Sequence, residues 1–360
     1  MISIILPTYN EVENIRVIVA NLLRLLEKEN IEGEIIVVDD DSPDGTAAIA
    51  MGFIEKYPVS VYVRKSDRGL SKAVIKGFEL AKGDVCLVID ADLSHPVEKI
   101  PAMIRPILED KCDMTVGSRY IEGGGWEDFS LVREIVSKMA GFLAKGITTL
   151  SDPTSGFMAI RKNIINEMKL DPLGWKIVLE VAVKGKPRIK EIPILFGERK
   201  KGRSKLGFKA QIDYIRHLWH LYCYSYPVVF QFIKFCIVGI SGLFIDTAVL
   251  VALVEYVSFD PRFAAIFAFI AAVTYNYTFN RAWTFEQGKR IKIVSGYISF
   301  VLVCIVGLTI RIGVMHLLIK YAEMDKSPLY IIASLLGIIS ATIFNFLGSR
   351  YLVFSKLFFK

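Results

Sequence analysis

Four long apolar stretches in the C-terminal part of the chain constrain its fold more than any other feature. They cover approximately residues 229–257, 262–280, 294–321 and 329–354 of 360. Each is close to or above the roughly 20 apolar residues that an α-helix needs to cross a bilayer. The sequence therefore predicts an all-α membrane domain of four transmembrane helices over residues 226–360.

Basic residues are concentrated in this apolar part, which holds 12 Lys and Arg against 6 Asp and Glu. The excess favours membrane lipids with anionic headgroups as partners, and argues against nucleic acid. The loop between the second and third stretches, "RAWTFEQGKRIKI" (281–293), is the most basic of the three connections. Positive loops stay on the cytosolic side, so we expect a multi-pass protein whose termini and N-terminal domain are both cytosolic.

Strand-like and helix-like segments alternate through residues 1–225, which predicts an α/β domain with a Rossmann-like, mostly parallel sheet. Ligands of such sheets gather at the carboxyl ends of the strands. Three predicted strands run into polar sequences there: "PTYNE" (7–11), "DDDSPDGT" (39–46) and "DADLSHP" (90–96). The sequence therefore predicts a binding site at that edge.

Asp90 and Asp92 follow a buried strand and are separated by one residue. One such aspartate is often only a turn residue or a helix cap. Two carboxylates at one strand end repel each other unless a cation lies between them, and Mg²⁺ or Mn²⁺ prefers oxygen ligands together with water and substrate phosphates. The pair therefore predicts a metal site for a diphosphate.

Several motifs, in this order, resemble glycosyltransferase family 2 and within it the polyprenyl-phosphate hexose synthases, most closely those that use dolichyl phosphate and mannose. They are "SIILPTYNE", "IIVVDDDSPDGT", "RKSDRGLSKAVIKGF", "DADLSHP", "VGSRY" and "SDPTSGF". The resemblance implies a GT-A fold, a nucleotide-sugar donor, inverting chemistry and a divalent cation, Mg²⁺ or Mn²⁺.

The resemblance also assigns residues to the donor. Those implied to bind the nucleotide sugar are Pro7, Tyr9, Glu11, Val38, Asp40, Asp90, Ala91, Asp92, Lys176, Arg199 and Lys205. Those implied to hold the metal are Asp90, Asp92 and Ser94, although relatives often carry Gln at the last position. An aromatic ring with nearby acceptors suits a base and sugar hydroxyls, but Tyr9 as packing and Glu11 as a helix N-terminal carboxylate remain open.

Three residues match the family's acceptor-phosphate positions: Arg119, Arg133 and Ser137. The guanidinium group of an arginine can donate two parallel hydrogen bonds to a phosphate. A lipid monophosphate is mostly a dianion at neutral pH and needs no general base, which agrees with the lack of a convincing catalytic histidine. The implied catalytic set is Asp90, Asp92, Arg119 and Arg133. The "DPTSGF" segment (152–157) is interpreted mainly as a turn that shapes the site, with a direct role for Asp152 as the alternative.

Two segments near 131–147 and 205–225 carry apolar and aromatic residues at helical spacing opposite Lys and Arg. This pattern is typical of interfacial helices, and also of ordinary core helices. Both segments are included in the predicted catalytic domain, which therefore ends at residue 225.

In the membrane domain, "NYTFNRAWTF" (276–285) aligns with "NFLGSRYLVF" (345–354), which resembles the GtrA-like family of two paired hairpins. Asp246 and Arg311 lie inside the apolar stretches.

The function expected from these features is transfer of one hexose, mannose from GDP-mannose, onto dolichyl or another polyprenyl phosphate. A UDP-glucose-dependent polyprenyl-phosphate glucosyltransferase is the alternative within the family. A sugar-lipid translocator with a regulatory sheet domain is the alternative from another class. A processive polysaccharide synthase is disfavoured because the "QxxRW" motif of such enzymes is absent from the catalytic half.

Overall fold

The computed structural model describes residues 1–126, 131–171, 174, 176–197, 208–285, 291–322 and 329–355, with backbone alone for 131–133 and 208–209. The chain divides into two compact units, Met1–Ser225 and Tyr226–Lys360. The strands of the first unit are β1 (Ile2–Thr8), β2 (Gly33–Asp39), β3 (Val59–Val63), β4 (Val85–Val88), β5 (Met114–Ser118), β6 (Gly125–Trp126), β7 (Met158–Arg161), β8 (Ile189–Pro193) and β9 (Leu195–Phe196). Its helices are α1 (Ile15–Lys28), α2 (Thr46–Met51), α3 (Leu70–Leu80), α4 (Ile100–Leu108), α5 (Leu131–Ala144), α6 (Lys162–Asn166), α7 (Ile177–Gly185) and α8 (Phe208–Ser225).

Seven strands form one sheet in the order β3-β2-β1-β4-β7-β5-β8. All neighbours are parallel except β7, which runs antiparallel to β4 and β5. The mostly parallel sheet predicted from the sequence is confirmed. The chain leaves β1 outward through β2 and β3 and returns to β4 on the other side of β1, so the strand order reverses there. Ligands bind at such a switch point, outside the carboxyl ends of the strands.

Helices cover both faces of this sheet. Successive residues of a strand point to opposite faces, and accordingly Ile4 and Leu6 pack into one apolar layer while Ile5 packs into the other. Helix α1 buries its apolar residues at helical spacing against the first layer, namely Ile15, Ile18, Val19, Leu22 and Leu26. The sheet is thus covered on both faces, and its carboxyl edge carries the polar loops.

The second unit contains four helices that are long and apolar enough to cross a membrane. They are α9 (Pro227–Val251), α10 (Pro261–Phe279), α11 (Ile293–Tyr321) and α12 (Leu329–Gly348), and π-helical turns extend three of them over Ala252–Tyr256, Asn280–Thr284 and Ser349–Val353. The four predicted spans are confirmed as helices. The π-helical turns were not predicted, because the apolar pattern does not distinguish one helical hydrogen-bond spacing from another.

The two helix hairpins make equivalent internal contacts. A side chain added at Gly242 of α9 would overlap the amide group of Asn276 on α10, and one added at Gly307 of α11 would overlap that of Asn345 on α12. Glycine therefore allows the two helices of each hairpin to approach closely, as small residues do in membrane helix pairs. The two asparagines hold the same place in the sequence repeat.

The contacts between the hairpins also come in equivalent pairs. Tyr277 of the first hairpin packs on aromatic rings of α11, Tyr297 and Phe300. The residue at its place in the second hairpin, Phe346, packs on aromatic rings of α9, Phe232 and Phe235. The hairpins are therefore related by an approximate two-fold rotation about an axis along the helices.

The π-helical turns bring the ends of the two repeats together. The N–H of Phe285 donates to the carbonyl of Asn280 over 2.9 Å, and the N–H of Phe354 donates to that of Ser349 over 2.8 Å. The two phenylalanine rings stack with their centroids 4.8 Å apart and their planes 19° apart. Equivalent residues of the two repeats are therefore in direct contact here.

Replacing Gly242 by alanine is expected to lower the melting temperature of the membrane domain, because overpacking a close contact costs about 1–3 kcal/mol. Gly239 lies on the same helix, and a side chain there meets no atom within 4 Å. The control Gly239→Ala should leave the melting temperature unchanged or raise it, since alanine favours helix by up to about 1 kcal/mol over glycine. Thermal unfolding of the purified protein in detergent checks the pair, and equal shifts would contradict the packing argument.

Candidate active site

The loops at the carboxyl edge of the sheet share a strained backbone. A non-glycine residue with left-handed backbone follows each of β1, β2, β3 and β4: Asn10 (φ 59°), Asp41 (φ 58°), Asp67 (φ 56°) and Leu93 (φ 64°). Such conformations are unfavourable for residues with a side chain and persist where surrounding contacts enforce them, often at functional sites. Four of them at the ends of four adjacent strands mark this edge as the candidate site.

The structure brings the predicted nucleoside-binding residues to two adjacent strand ends. Pro7 of β1 and Val38 of β2 are paired in register. Tyr9 follows β1 and is 38% exposed. The carboxylate of Glu11 accepts a hydrogen bond over 2.8 Å from the side chain of Asn14, just before α1. The Tyr9 ring is thus partly exposed at this edge, while Glu11 contacts the residue that precedes the helix.

Asp40, the last member of that predicted pocket, is buried and held on both oxygens. Its Oδ1 accepts from Nη1 of Arg64 over 2.8 Å, and its Oδ2 accepts from the backbone N–H of Gly69 over 2.7 Å. Burial raises the pKa of Asp40 above its ordinary value, and the Gly69 N–H and the Arg64 guanidinium act against that rise. No role was predicted for Arg64, although it begins the quoted motif "RKSDRGLSKAVIKGF".

Asp90 and Asp92 lie together in the turn after β4. Oδ1 of Asp92 accepts from Ser94, over 2.5 Å from the hydroxyl and 3.1 Å from the backbone N–H. Ser94 therefore orients Asp92 in this geometry, and its predicted contact with a metal stays a prediction. Ala91, between the two aspartates, is buried.

His95 supports the other aspartate. The backbone N–H of Asp90 donates to Nδ1 of His95 over 3.2 Å. The buried imidazole also packs against the rings of Phe157 and Phe196, with centroids 5.2 and 5.3 Å away. A ring that accepts at Nδ1 carries its hydrogen on Nε2. His95 therefore positions the turn through this hydrogen bond and these ring contacts.

The donor atoms of this turn fit a divalent cation. Two carboxylates at one strand end are hard oxygen ligands of the kind that Mg²⁺ and Mn²⁺ prefer. Among the residues that the structure describes, no group of three His, Cys, Asp or Glu side chains is placed to hold a metal. An ion at Asp90 and Asp92 would have positions for water and a bound diphosphate beside the predicted contact of Ser94.

The "DPTSGF" segment forms the wall behind Asp90. A side chain added at Gly156 would lie 3.1 Å from Oδ2 of Asp90 and 3.5 Å from Cε1 of His95. The distance to His95 is an ordinary contact, but the distance to Asp90 is tight, so an added side chain would require the Asp90 carboxylate to shift slightly. The interpretation of the segment as a turn that shapes the site agrees with this contact.

Asp152 of the same segment holds Arg119. Nε and Nη2 of Arg119 donate to the two carboxylate oxygens of Asp152, each over 2.7 Å. Burial alone would raise the pKa of Asp152, but the paired hydrogen bonds from Arg119 lower it below the ordinary value. Among the described residues, these hydrogen bonds of the Arg119 side chain come from Nε and Nη2 and not from Nη1. Asp152 thus has a definite role, through Arg119.

Thr154 links two predicted acceptor residues, Arg119 and Ser137, to Lys176, which is predicted to bind the donor. Its hydroxyl accepts from Nη2 of Arg119 over 2.8 Å and lies 3.1 Å from the hydroxyl of Ser137. Nζ of Lys176 donates to its carbonyl over 2.6 Å. Burial and the nearby Arg119 lower the pKa of Lys176 to about 8. The structure therefore brings Arg119, Ser137 and Lys176 together around one residue.

Three predicted residues cannot be placed fully. Arg133 belongs to α5, but its side chain is outside the described part of the chain. Arg199 and Lys205 fall in residues 198–207, also outside it. Ser137, one helical turn after Arg133, shows that this helix borders the site.

Two family models match the chain, glycosyl transferase family 2 over residues 3–169 and the GtrA/DPMS transmembrane domain over residues 234–354. The dolichol-phosphate mannosyltransferase of Pyrococcus furiosus is 37% identical over 98% of this chain and 97% of its own length. The enzyme of that name from Saccharomyces cerevisiae is 36% identical over 62% of this chain and 88% of its own. Among solved structures, glucosyl-3-phosphoglycerate synthase of Mycobacterium tuberculosis matches with a TM-score of 0.49 at 18% identity, over 61% of this chain and 79% of that one.

The similarity to the archaeal relative extends over both units and includes the membrane helices. The chain is therefore an integral membrane glycosyltransferase that belongs to the dolichol-phosphate mannosyltransferase family, with a family 2 catalytic domain followed by a GtrA/DPMS transmembrane domain.

Proposed function

We propose that the protein transfers a mannosyl group from GDP-mannose to the phosphate of dolichyl or a related polyprenyl phosphate, with inversion, at the cytosolic face of the membrane. The observation that carries this proposal is the full-length similarity to a dolichol-phosphate mannosyltransferase. The placement of Asp40, Asp90 and Asp92 at one edge of the sheet supports it, because a nucleotide sugar needs base, ribose and diphosphate contacts in a row.

On the donor side, Tyr9 and Asp40 hold the nucleoside and the Asp90–Asp92 turn holds the diphosphate. A divalent cation bound there supplies positive charge that offsets the charge of the departing nucleoside diphosphate. The hydrogen bond from Ser94 holds the Asp92 carboxylate before the donor arrives, and the hydrogen bond from the backbone N–H of Asp90 to His95 fixes the turn that carries both aspartates. Such preorganisation stabilises developing charge without rearrangement during the reaction.

On the acceptor side, Arg119 holds the lipid phosphate through Nη1, with Arg133 and Ser137 as further contacts. The phosphate is already ionised, so no proton has to be removed before it attacks. Asp152 restricts the rotation of the Arg119 side chain through two hydrogen bonds. Attack from the side opposite the leaving group inverts the anomeric carbon.

Helices α5 and α8 supply the proposed membrane-facing surface of the catalytic domain. Tyr214 and Tyr222 of α8 donate through their hydroxyls to backbone carbonyls of α5, over 2.7 and 2.8 Å. Large apolar side chains on the two helices remain more than half exposed: Ile135, Met139, Phe142, Ile215 and Trp219. An exposed apolar patch on a pair of joined helices suits the bilayer interface. Together with the basic loop at 281–293, this supports a cytosolic catalytic domain.

Donor profiling tests the proposal. Purified protein is incubated with polyprenyl phosphate, Mg²⁺ or Mn²⁺, and labelled GDP-mannose or UDP-glucose, and labelled lipid is extracted. Labelled lipid from GDP-mannose is the expected result. Labelled lipid from UDP-glucose alone would establish the glucosyltransferase, and absence of product from either donor would contradict both.

Replacing Asp92 by asparagine is expected to lower kcat by about 10²–10³-fold, the scale for losing one preorganised electrostatic contact to a developing charge. Asp84 precedes the opposite end of the same strand and its side chain is 90% exposed. Asp84→Asn should therefore retain wild-type turnover. Transfer is measured with and without a chelator, and a rate that survives both Asp92→Asn and chelation would contradict the assigned role.

The donor affinity is expected to weaken as the pH rises through about 8. The pKa of Lys176 is lowered from its ordinary value, so the side chain is charged below about pH 8 and neutral above it. A neutral amine attracts a diphosphate less. Arginine stays charged over the whole range, so Lys176→Arg should remove this part of the pH dependence. The KM for the donor is measured from pH 6.5 to 9.5, and the same rise in both proteins would exclude Lys176 as its source.

A further inference from the structure

Arg64, at the end of β3, is buried and has no part in the function proposed so far. Its Nη1 donates to Asp40 over 2.8 Å and to the carbonyl of Gly69 over 3.3 Å, and its Nη2 donates to the carbonyl of Asp67. Gly69 in turn donates its N–H to the second oxygen of Asp40. Arg64 therefore joins the loop after β3 to the loop after β2.

This connection lies where the backbone is strained. Asp41 and Asp67 have left-handed backbone, and Gly69 has a φ of 139°, which side chains rarely adopt. An exposed ion pair between Arg68 and Asp41 joins the same two loops. A buried ion pair is weak evidence for stability, because desolvation offsets much of its attraction. Its position beside the predicted nucleoside pocket favours a functional reason for keeping it.

Asp40 can still bind a ligand in this arrangement. Each carboxylate oxygen accepts more than one hydrogen bond, so Oδ1 and Oδ2 retain capacity after bonding to Arg64 and Gly69. The two protein contacts determine the direction in which the remaining lone pairs point. A hydroxyl of ribose or an N–H of a base would meet an acceptor that is already oriented.

We propose that Arg64 is a positioning residue for the donor nucleotide, acting through Asp40 and the loop at 67–69. The inference rests on the proposed function. Loss of Arg64 should weaken binding of the nucleoside part of the donor and leave the later chemical step nearly unchanged. A residue that only stabilises the fold would not show this separation.

The test compares Arg64→Lys and Arg64→Met with the wild type. Lysine keeps the positive charge but lacks the planar guanidinium with its several N–H donors. We therefore expect Arg64→Lys to raise the donor KM about tenfold, which is the scale for losing one charged hydrogen bond. The kcat should stay within about twofold of the wild-type value. Arg64→Met should raise the KM further. The KM for the lipid phosphate should stay constant. Affinity for the free nucleoside diphosphate, by titration calorimetry, should fall in parallel with the donor KM.

Arg161 provides a matched control. It is also a strand-end arginine that donates to a carbonyl, of Ile107, and to a carboxylate, of Asp110, and it pairs with Val85 at the amino end of β4. Arg161→Lys should change the melting temperature but not the donor KM. A lower melting temperature with unchanged donor KM in Arg64→Lys would overturn the proposal. Failure of the wild type to bind GDP or UDP would instead refute the proposed function.

An independent observation concerns the membrane domain. Asp246 lies one turn beyond Gly242 on α9, and Arg311 lies one turn beyond Gly307 on α11. The two glycines are equivalent in the repeat, so the opposite charges occupy equivalent positions in the two hairpins. Within the described residues, neither side chain has a hydrogen bond or an ion pair. Unpaired charges inside a membrane span are costly and usually have a partner.

Helical spacing continues the buried row of each helix to these two residues, where Asp246 is half-buried and Arg311 is exposed. Asp246 continues the row of buried residues on α9, which are Phe235, Val238 and Gly242. Arg311 continues the row on α11, of which Phe300, Val303 and Gly307 are part. The aromatic contacts between the hairpins described above all lie in the half nearer the π-helical turns after α10 and α12. The two charges lie beyond that half.

We infer that Asp246 and Arg311 attract each other across the space between the hairpins and draw these halves together in the bilayer. Asp246→Arg and Arg311→Asp should each lower the melting temperature in lipid nanodiscs by several degrees. The double exchange, which restores opposite charges, should recover most of the loss. Failure of the double exchange to recover would overturn the inference. Recovery on mixing the two single variants would also overturn it, by assigning the contact to two copies of the chain.

Discussion

The parallel pairing of β1 with both β2 and β4 is the constraint on which the catalytic half depends. It places three polar loops at one edge of the sheet, although they are far apart in the sequence. Each loop then has to bend sharply over the edge, which explains the left-handed residues after these strands. The apolar layers on both faces stabilise the pairing and indirectly hold Asp40, Asp90 and Asp92 in place.

A buried arginine–aspartate pair supports each side of the site. Arg64 holds Asp40 on the donor side, and Asp152 holds Arg119 on the acceptor side. The roles are reversed: the carboxylate is the proposed ligand contact in the first pair and the guanidinium in the second. In both, the partner places an opposite charge beside a buried contacting group. A site that joins an anionic donor to an anionic acceptor thus contains charge of both signs without leaving either uncompensated.

Much of this arrangement could be predicted from local sequence. The apolar runs that end in "PTYNE" and "DAD" were sufficient to predict these strands and the candidate metal turn. The length and hydropathy of the C-terminal stretches were sufficient to predict the four membrane spans. Contacts between distant residues could not be predicted. The antiparallel direction of β7, the hydrogen bonds of Arg64 and the link from Asp152 to Arg119 depend on how elements meet. Helix α2 is regular only over Thr46–Met51 and continues as turns, because Gly52 has a weak helix propensity.

The two-fold repeat in the membrane half has an evolutionary consequence. Tyr277 packs on the second hairpin and Phe346, at the equivalent position, packs on the first. Each hairpin therefore contains both of the surfaces that form the contact between the hairpins. An ancestral single hairpin could therefore have assembled as a homodimer with the same contacts. Gene duplication and fusion would then free each copy to change alone. Asp246 and Arg311 carry opposite charges at equivalent positions of the two hairpins. A symmetric homodimer cannot have this arrangement, because both copies would carry the same residue.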